Sequence, residues 1–236
     1  PNCLGLMRPV TGLNATFASD MARPGSVGFI SQSGALCASI LDWSLQEHVG
    51  FSAFVSIGSM LDVGWGDLID YLGEDPHTQS ILIYMESIGD ARAFLSAARE
   101  VALAKPIIVI KAGRTEAAAK AAASHTGALT GDRRTWDAIR AATGAAVVER
   151  LEDFLGALVV ADRYAGRAVA DGPDVLVVGV GGGASVLATD ACDRHGLRVA
   201  PVTPAAVARL RALGYGAGTS VVNPVEIGVG PAAPVD

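Results

Sequence analysis

The sequence reads as an α/β protein built on doubly wound parallel sheets, and three observations predict that class. Short strands alternate with helical stretches along the chain. The strands, such as Ile81-Leu82-Ile83-Tyr84-Met85 and Pro106 to Lys111, are continuous apolar runs rather than alternating ones. Strands buried on both faces by helices have that pattern. Half of the 236 residues are hydrophobic, only 6% are aromatic, and 28 are glycine. That composition suits tight strand-to-helix turns and alanine-filled helices.

Taken in order, Ser26 to Ser31 is a predicted strand that breaks at Gln32-Ser33-Gly34, and Ala35 to Gln46 is a helix. Phe51 to Ile57 is a second strand, followed by a glycine-rich turn and a short helix over Asp67 to Leu72. Ser80 to Met85 is a strand, Asp90 to Leu103 a helix with apolar spacing, and Pro106 to Lys111 a fourth strand. Alanine-rich helical sequence leads to a loop around His125, then a helix over Thr135 to Ala142 and a short strand at Ala146 to Val148.

Leu151 to Val169 is amphipathic and helical in pattern, and the polar turn Ala170-Asp171-Gly172-Pro173-Asp174 marks a boundary. The pattern then restarts. Val175 to Val180 is a strand, Gly181-Gly182-Gly183 a turn, Ala184 to Arg194 a helix, Leu197 to Pro201 a strand and Thr203 to Leu213 a helix, with a break at Asn223-Pro224. The expected organisation is a first domain over residues 1–150, a linker helix and turn over 151–172, and a second, incomplete domain over 173–236. The chain opens without a methionine and reads as a piece of something longer.

Composition excludes several classes. The net charge is −6, with no Lys/Arg-rich stretch interleaved with aromatics, so nucleic acid is not an expected partner. No apolar run reaches the ~18 residues a membrane-spanning helix needs, and no signal peptide is expected. Cys3, Cys37 and Cys192 are far apart and odd in number, a poor disulfide framework. Cys37 and Cys192 lie in apolar, alanine-rich segments and read as small buried residues. A cytoplasmic setting fits. No two histidines have metal-ligand spacing, so no bound metal is expected.

The turn Ser31-Gln32-Ser33-Gly34 joins a parallel strand to a helix. Such a turn offers free backbone N–H groups and the positive end of a helix dipole, at the sheet edge where α/β proteins bind ligands. Ser33 suits the N-cap position and has a hydroxyl for a phosphate; a plain cap is the competing reading. The Gly181-Gly182-Gly183 turn has the same physics but lacks the GxGxxG pattern, which disfavours a dinucleotide. It equally fits a turn that only lets strand and helix pack closely. His48 and His195 sit where helices end, as caps, and His77 sits in a turn.

His125 lies among small residues, Ser124 before it and Thr126, Gly127 and Ala128 after, which would let a loop approach other backbone closely. Taken alone it also fits a helix-end histidine on the surface. Glu86 ends an apolar strand at the ligand-binding edge, where a carboxylate can accept one ring proton of a histidine and leave the other nitrogen nucleophilic. A solvent-facing strand end is the alternative.

Five segments occur in order: Pro1-Asn2-Cys3-Leu4-Gly5, Ser31-Gln32-Ser33-Gly34-Ala35-Leu36, Tyr84-Met85-Glu86-Ser87-Ile88, Lys111-Ala112-Gly113-Arg114 and Ser124-His125-Thr126-Gly127-Ala128-Leu129. Together they resemble the α-type subunit of ADP-forming acetyl-CoA synthetases, in the succinyl-CoA synthetase superfamily. The resemblance implies two flavodoxin-like domains. It implies phosphorylation of His125, with Glu86 steadying the ring and Ser124, Thr126 and Gly127 supporting the loop. It also implies that Ser31, Ser33 and Gly34, and likewise Gly182, Gly183 and Ala184, begin two helices whose N-termini face the phosphoryl group.

The second turn departs from the family's Gly-Gly-Pro-Gly, and a Cβ at Ala184 bears on where its N–H groups point. By the same resemblance, CoA and ATP/Mg²⁺ act as substrates. They are held mainly by a CoA-binding Rossmann-type domain and an ATP-grasp domain or subunit that this chain lacks, and no flavin is expected. The implied partners are a small carboxylic acid and CoA, in an oligomer. Long relatives carry an acetyltransferase domain. A CoA- or acyl-CoA-sensing module regulating such a domain is the alternative to a ligase core.

Overall fold

The structure is a computed structural model and describes residues 3–115, 117–118, 120, 133–167, 172–213 and 220–227. The chain divides into two compact units, Pro1–Arg167 and Ala168–Asp236.

The first unit is an α/β layer structure around one mixed sheet, ordered β2-β1-β4-β3-β5-β6-β7 among the described residues. Its parallel part is β3 (Arg23–Ser31), β4 (Gly50–Ser56), β5 (Ser80–Met85), β6 (Ile107–Lys111) and β7 (Ala146–Val148). Strands β5 and β7 occupy the residues that the apolar runs predict. From β3 the chain first steps outward to β4 and then returns to lay β5 on the other side. This is the flavodoxin-type order, with its topological switch point between β3 and β5.

Both faces of the sheet are covered, which is why its strands carry no polar alternation. On one face lie α2 (Trp65–Glu74), α3 (Ala91–Val101) and α4 (Arg133–Thr143), contributing Trp65, Ile69, Leu72, Phe94, Val101 and Ile139 to the core with Ile81, Ile83 and Met85 of β5. On the other lie α1 (Gly34–Glu47) and α5 (Leu151–Arg163), which bring Cys37, Ile40, Leu41, Phe154 and Leu158 against Phe29, Phe51, Phe54 and Leu82. Rings of Phe29 and Phe54 are 4.9 Å apart, and Phe154 of α5 lies 6.3 Å from Phe29. Burying each ring contributes about 2–3 kcal/mol. The helix predicted as part of a linker over 151–172 therefore packs into the first unit's core.

Helix ends follow side-chain chemistry. Ser33 Oγ accepts the Leu36 N–H at 3.2 Å and starts α1. Asp90 accepts the N–H groups of Arg92 and Ala93 at 2.9 and 3.0 Å and starts α3. His48 closes α1 in the left-handed region (φ 60°), and His195 caps the helix that precedes it in the second unit, as their positions predict. Helices α2 and α3 lie close because α2 carries glycines at the contact: a Cβ on Gly73 would meet Val101 Cγ2 at 2.5 Å.

The sheet departs from the wholly parallel expectation at one edge. Strands β1 (Gly5–Arg8) and β2 (Leu13–Thr16) form an antiparallel hairpin, and β1 adds antiparallel to β4 through Leu6↔Val55 and Met7↔Phe54. Four-residue strands broken by Pro9 and Gly12 are too short to display a period, so the sequence reading starts its strands only at Ser26.

The second unit has two short parallel pairs, β8 (Asp174–Val175) with β10 (Arg198–Val199) and β9 (Val178–Val180) with β11 (Val225–Ile227). The predicted strand Val175–Val180 is thus divided in two. Asn223 bridges the pieces: its side chain donates to the Val175 and Ala200 carbonyls, both at 2.7 Å, and accepts the Val177 N–H at 2.9 Å. Helices α6 (Gly182–Arg194) and α7 (Pro204–Ala212) complete the described part.

Candidate functional site

The C-terminal ends of β3 and β5 meet at the switch point, and the β3–α1 turn fastens them together. Ser31 is fully buried; its hydroxyl donates to the Ser33 carbonyl and accepts the Ser33 N–H, each at 3.0 Å. Ser31 therefore shapes the turn from within. Ser33 Oγ caps α1 as an acceptor, which leaves its hydroxyl proton to donate outward. Gly34 and Ala35 open the helix, where the first N–H groups have no intrahelical acceptor.

Gln32, between the two serines, does most of the fastening. Its N–H donates to the Tyr84 carbonyl at 3.2 Å. Its Oε1 accepts the N–H of Glu86 at 2.6 Å and of Ser87 at 2.8 Å, and its Nε2 donates to Ser87 Oγ at 3.0 Å. The residue is 4% exposed. A buried amide that meets two main-chain N–H groups and a hydroxyl fixes the direction in which the chain leaves β5. Sequence reasoning placed Gln32 in the motif but gave it no role; nothing local distinguishes it from a turn residue.

Glu86 thus sits one residue past β5, 5% exposed, with its Oε2 buried and without a hydrogen-bond partner among the described residues. It is a buried carboxylate, not a solvent-facing strand end. Its influence is felt by Tyr84 two residues earlier. Burial pushes that phenol up to about 12, and the Glu86 charge and a hydrogen bond to it add to the effect. Lys111, at the end of β6 beside β5, is 3% exposed and is pulled down to about 8 by burial, against the opposing effect of Glu86.

His125, with Ser124, Thr126 and Gly127, falls outside the described residues. Its place in the chain is informative all the same. Strand β6, the last described strand before His125 in the chain, ends at Lys111 in register with Met85, the residue before Glu86. The loop from Ile57 to Gly64 leaves β4 at that edge too. It borders a cavity of about 360 Å³ with Ser87, Gly89 and Asp90.

In the second unit, Gly182, Gly183 and Ala184 are the first three residues of α6. Ala184 takes an ordinary helical place, so its Cβ leaves the helix start regular. The Glu226 carboxylate of β11 lies against this start: a Cβ on Gly182 would be 3.5 Å from its Oε2. Sequence reasoning gave Glu226 no role. Among the described residues, no three His, Cys, Asp or Glu side chains converge as metal ligands, and no helix is long and apolar enough to cross a membrane.

Residues 24–161 match the model of the succinyl-CoA ligase like flavodoxin domain. The chain belongs to that family. It is similar to the α subunit of acetate–CoA ligase (ADP-forming) II of Pyrococcus furiosus, with 37% identity over 96% of this chain and 48% of the relative. It is also similar to acetate–CoA ligase (ADP-forming) I of Archaeoglobus fulgidus, at 38% identity over 96% of this chain and 32% of the relative. Among solved structures, the dinucleotide-forming acetyl-coenzyme A synthetase 1 of Ca. Korarchaeum cryptofilum, in complex with phosphate and ADP, superposes with a TM-score of 0.80. That match is 36% identical and covers 97% of this chain and 49% of the other. This succinyl-CoA ligase-like chain therefore spans half or less of the length of the relatives it matches.

Proposed function

We propose that the chain is the phosphohistidine-bearing core of an NDP-forming acyl-CoA synthetase, which converts a carboxylic acid, CoA and ATP into acyl-CoA, ADP and phosphate. The observation that carries this reading is the buried Glu86 carboxylate, held at the switch point by Gln32 with one oxygen unpartnered. It stands beside the end of β6, the strand that precedes His125 in the chain.

Each step balances. One His125 ring nitrogen attacks the γ-phosphorus of ATP; the N–P bond forms as the P–O bond to ADP breaks. Glu86 accepts the N–H of the other ring nitrogen, which fixes the ring and stabilises its positive charge. A carboxylate oxygen of the acid then attacks phosphorus, breaking the N–P bond to give an acyl phosphate. The CoA thiolate attacks the acyl carbon, and the thioester forms as phosphate leaves. The N–H groups at Gly34 and Ala35, with the Ser33 hydroxyl, serve the phosphoryl oxygens, since a helix start carries about half a positive charge. Within the second unit, the helix start at Gly182, Gly183 and Ala184 is a second phosphate-binding turn on this reading. ATP with its Mg²⁺, and CoA, are brought by an ATP-grasp and a Rossmann-type region in the complete enzyme. Acetate is the acid in the names of the relatives above.

The test is incubation of the complete enzyme with γ-labelled ATP and Mg²⁺. An acid-labile, base-stable label that disappears in His125→Asn is the expected result. Absence of label with CoA binding retained would instead make this region a CoA-sensing module.

A further inference from the structure

The cavity between the Ile57 to Gly64 loop, after β4, and the Ser87 to Asp90 loop, after β5, has no part in the phosphoryl chemistry above. Its volume is about 360 Å³. Small-molecule sites begin at about 300 Å³, and the methyl group of acetate needs far less.

Three contacts hold its walls. The Trp65 indole N–H donates to the Ser87 carbonyl at 3.0 Å and ties the start of α2 to the end of β5. The Ile57 N–H donates to the Ser31 carbonyl at 2.8 Å and ties the other loop to β3. Met60, in the left-handed region (φ 52°), reaches across: a Cβ on Gly89 would meet its Cε at 3.0 Å. Gly89 has φ 59°, so both its backbone and the Met60 methyl call for glycine there. One wall is therefore a flexible, apolar thioether side chain.

The polar groups define what would fill the space. Ser87 lines the cavity and is 7% exposed. Its Oγ accepts from Gln32 Nε2 at 3.0 Å, but its own hydroxyl proton has no acceptor among the described residues. A buried donor left in this state favours a ligand that brings an oxygen. Asp67 and Asp90 each commit one oxygen to main-chain N–H groups at the starts of α2 and α3. Asp62 is exposed and makes no hydrogen bond among the described residues. No lysine, arginine or histidine lines the cavity. A hydroxyl can accept from Ser87 and donate to a carboxylate, whereas a second carboxylate would face the charges of Asp62, Asp67 and Asp90.

We propose that this cavity is the acyl-tail subsite of the ligase. It takes a monocarboxylic acid whose tail of several carbons ends in a hydroxyl; Met60 limits the length of that tail, and Asp62 turns away a second carboxylate. The proposal rests on the acyl-CoA synthetase reading above. Ser87 follows Glu86 directly in the chain, so the reacting carboxyl group lies toward Glu86 and the tail toward Met60.

The experiment measures acyl-CoA formation by the complete enzyme, as kcat/KM for acetate, pentanoate, 5-hydroxypentanoate and glutarate. The parent is expected to favour 5-hydroxypentanoate over acetate and pentanoate by about tenfold, and to use glutarate least. Asp62→Lys is expected to raise glutarate relative to 5-hydroxypentanoate by roughly tenfold, because a repulsive charge becomes an attractive one. Met60→Ala is expected to raise 8-hydroxyoctanoate relative to 5-hydroxypentanoate by roughly fivefold, because the wall recedes. Thermal melting checks that each variant folds; should Met60→Ala melt early, Met60→Val is judged by the same ratio. Either ratio unchanged overturns the proposal, as does a parent that favours acetate or glutarate. No label from γ-labelled ATP, and no acyl-CoA from any of these acids, overturns the ligase reading itself, a failure distinct from a different order of preference.

Discussion

Gln32 Oε1 receives the main-chain N–H of Glu86 at 2.6 Å across the β3–β5 switch point. One amide thus joins the turn that opens α1 to the strand end that presents the carboxylate. Substituting it separates scaffold from electrostatics. Gln32→Met leaves two buried N–H groups unsatisfied, at about 1–3 kcal/mol each, so a stability loss of roughly 2–6 kcal/mol is expected. Urea unfolding followed by tryptophan fluorescence measures it, since Trp43, Trp65 and Trp136 all lie in the first unit. Gln32→Glu keeps the acceptor and should recover part of that stability, while its negative charge next to Glu86 should still lower histidine labelling. A Met variant within about 0.5 kcal/mol of the parent removes Gln32 from this role.

Much of this site was legible in the sequence, for identifiable reasons. Glu86 stands out because a carboxylate at the end of five apolar strand residues is anomalous wherever helices cover both faces. Ser33 stands out because a capping residue followed by glycine marks a helix start. Gln32 was hidden. It is a polar residue at a position that sequence assigns to a turn, and its importance arises only when β3 and β5 lie side by side. The same holds for the β1–β2 hairpin, whose pairing with β4 is a long-range contact with no local signal. In the second unit, Glu226 is separated from Gly182 by the whole of α6, β10 and α7, so its approach to the helix start could not be read from spacing.

Tyr84 provides a readout of Glu86 that does not depend on activity. Burial raises its phenol to about 12, and the Glu86 carboxylate contributes by charge and hydrogen bond. Glu86→Gln removes the charge but not the burial. The tyrosine is therefore expected to titrate lower than in the parent and still above the ordinary value of about 10. Carbon-13 tyrosine labelling with NMR titration follows it, with Tyr84→Phe to assign the resonance. An unchanged titration in Glu86→Gln would show that the carboxylate does not act on this ring.

Cysteine reactivity should divide by burial. Burial pushes the Cys37 thiol up to about 11, against hydrogen bonds with Ser31 and Ser56, whereas Cys3 is exposed. At pH 8 only about one Cys37 in a thousand would carry the reactive thiolate, and solvent does not reach it. A disulfide reagent should therefore modify Cys3 rapidly in the folded protein and Cys37 only after denaturation. Mass mapping of the modified peptides checks this. Fast native modification of Cys37 would mean that the β3–α1 turn opens far more readily than its hydrogen bonds suggest.

The last prediction concerns the opposite edge of the sheet. Arg8 at the end of β1 donates to both oxygens of Asp75, at 2.8 and 3.1 Å, and Thr78 Oγ1 donates to Oδ2 at 2.7 Å. Burial resists ionisation of Asp75, but these hydrogen bonds, with the His77 N–H and the Arg8 charge, bring the carboxyl down to about 2. Because the folded-state value lies below the unfolded one of about 3.9, the pair stabilises the fold fully above pH 4 and loses that contribution as pH falls toward 2. The contribution is on the order of 2 kcal/mol. Asp75→Asn should be destabilised at pH 7 by about 3 kcal/mol, since it leaves the Arg8 guanidinium without its charge partner. Other carboxylates also titrate in acid, so the informative quantity is the difference in unfolding free energy between parent and variant. That difference should shrink between pH 4 and pH 2; a gap constant across this range would show that the ion pair does not govern acid stability. Histidine labelling at neutral pH should be unaffected in the folded variant, because this pair anchors the hairpin at the edge remote from Glu86.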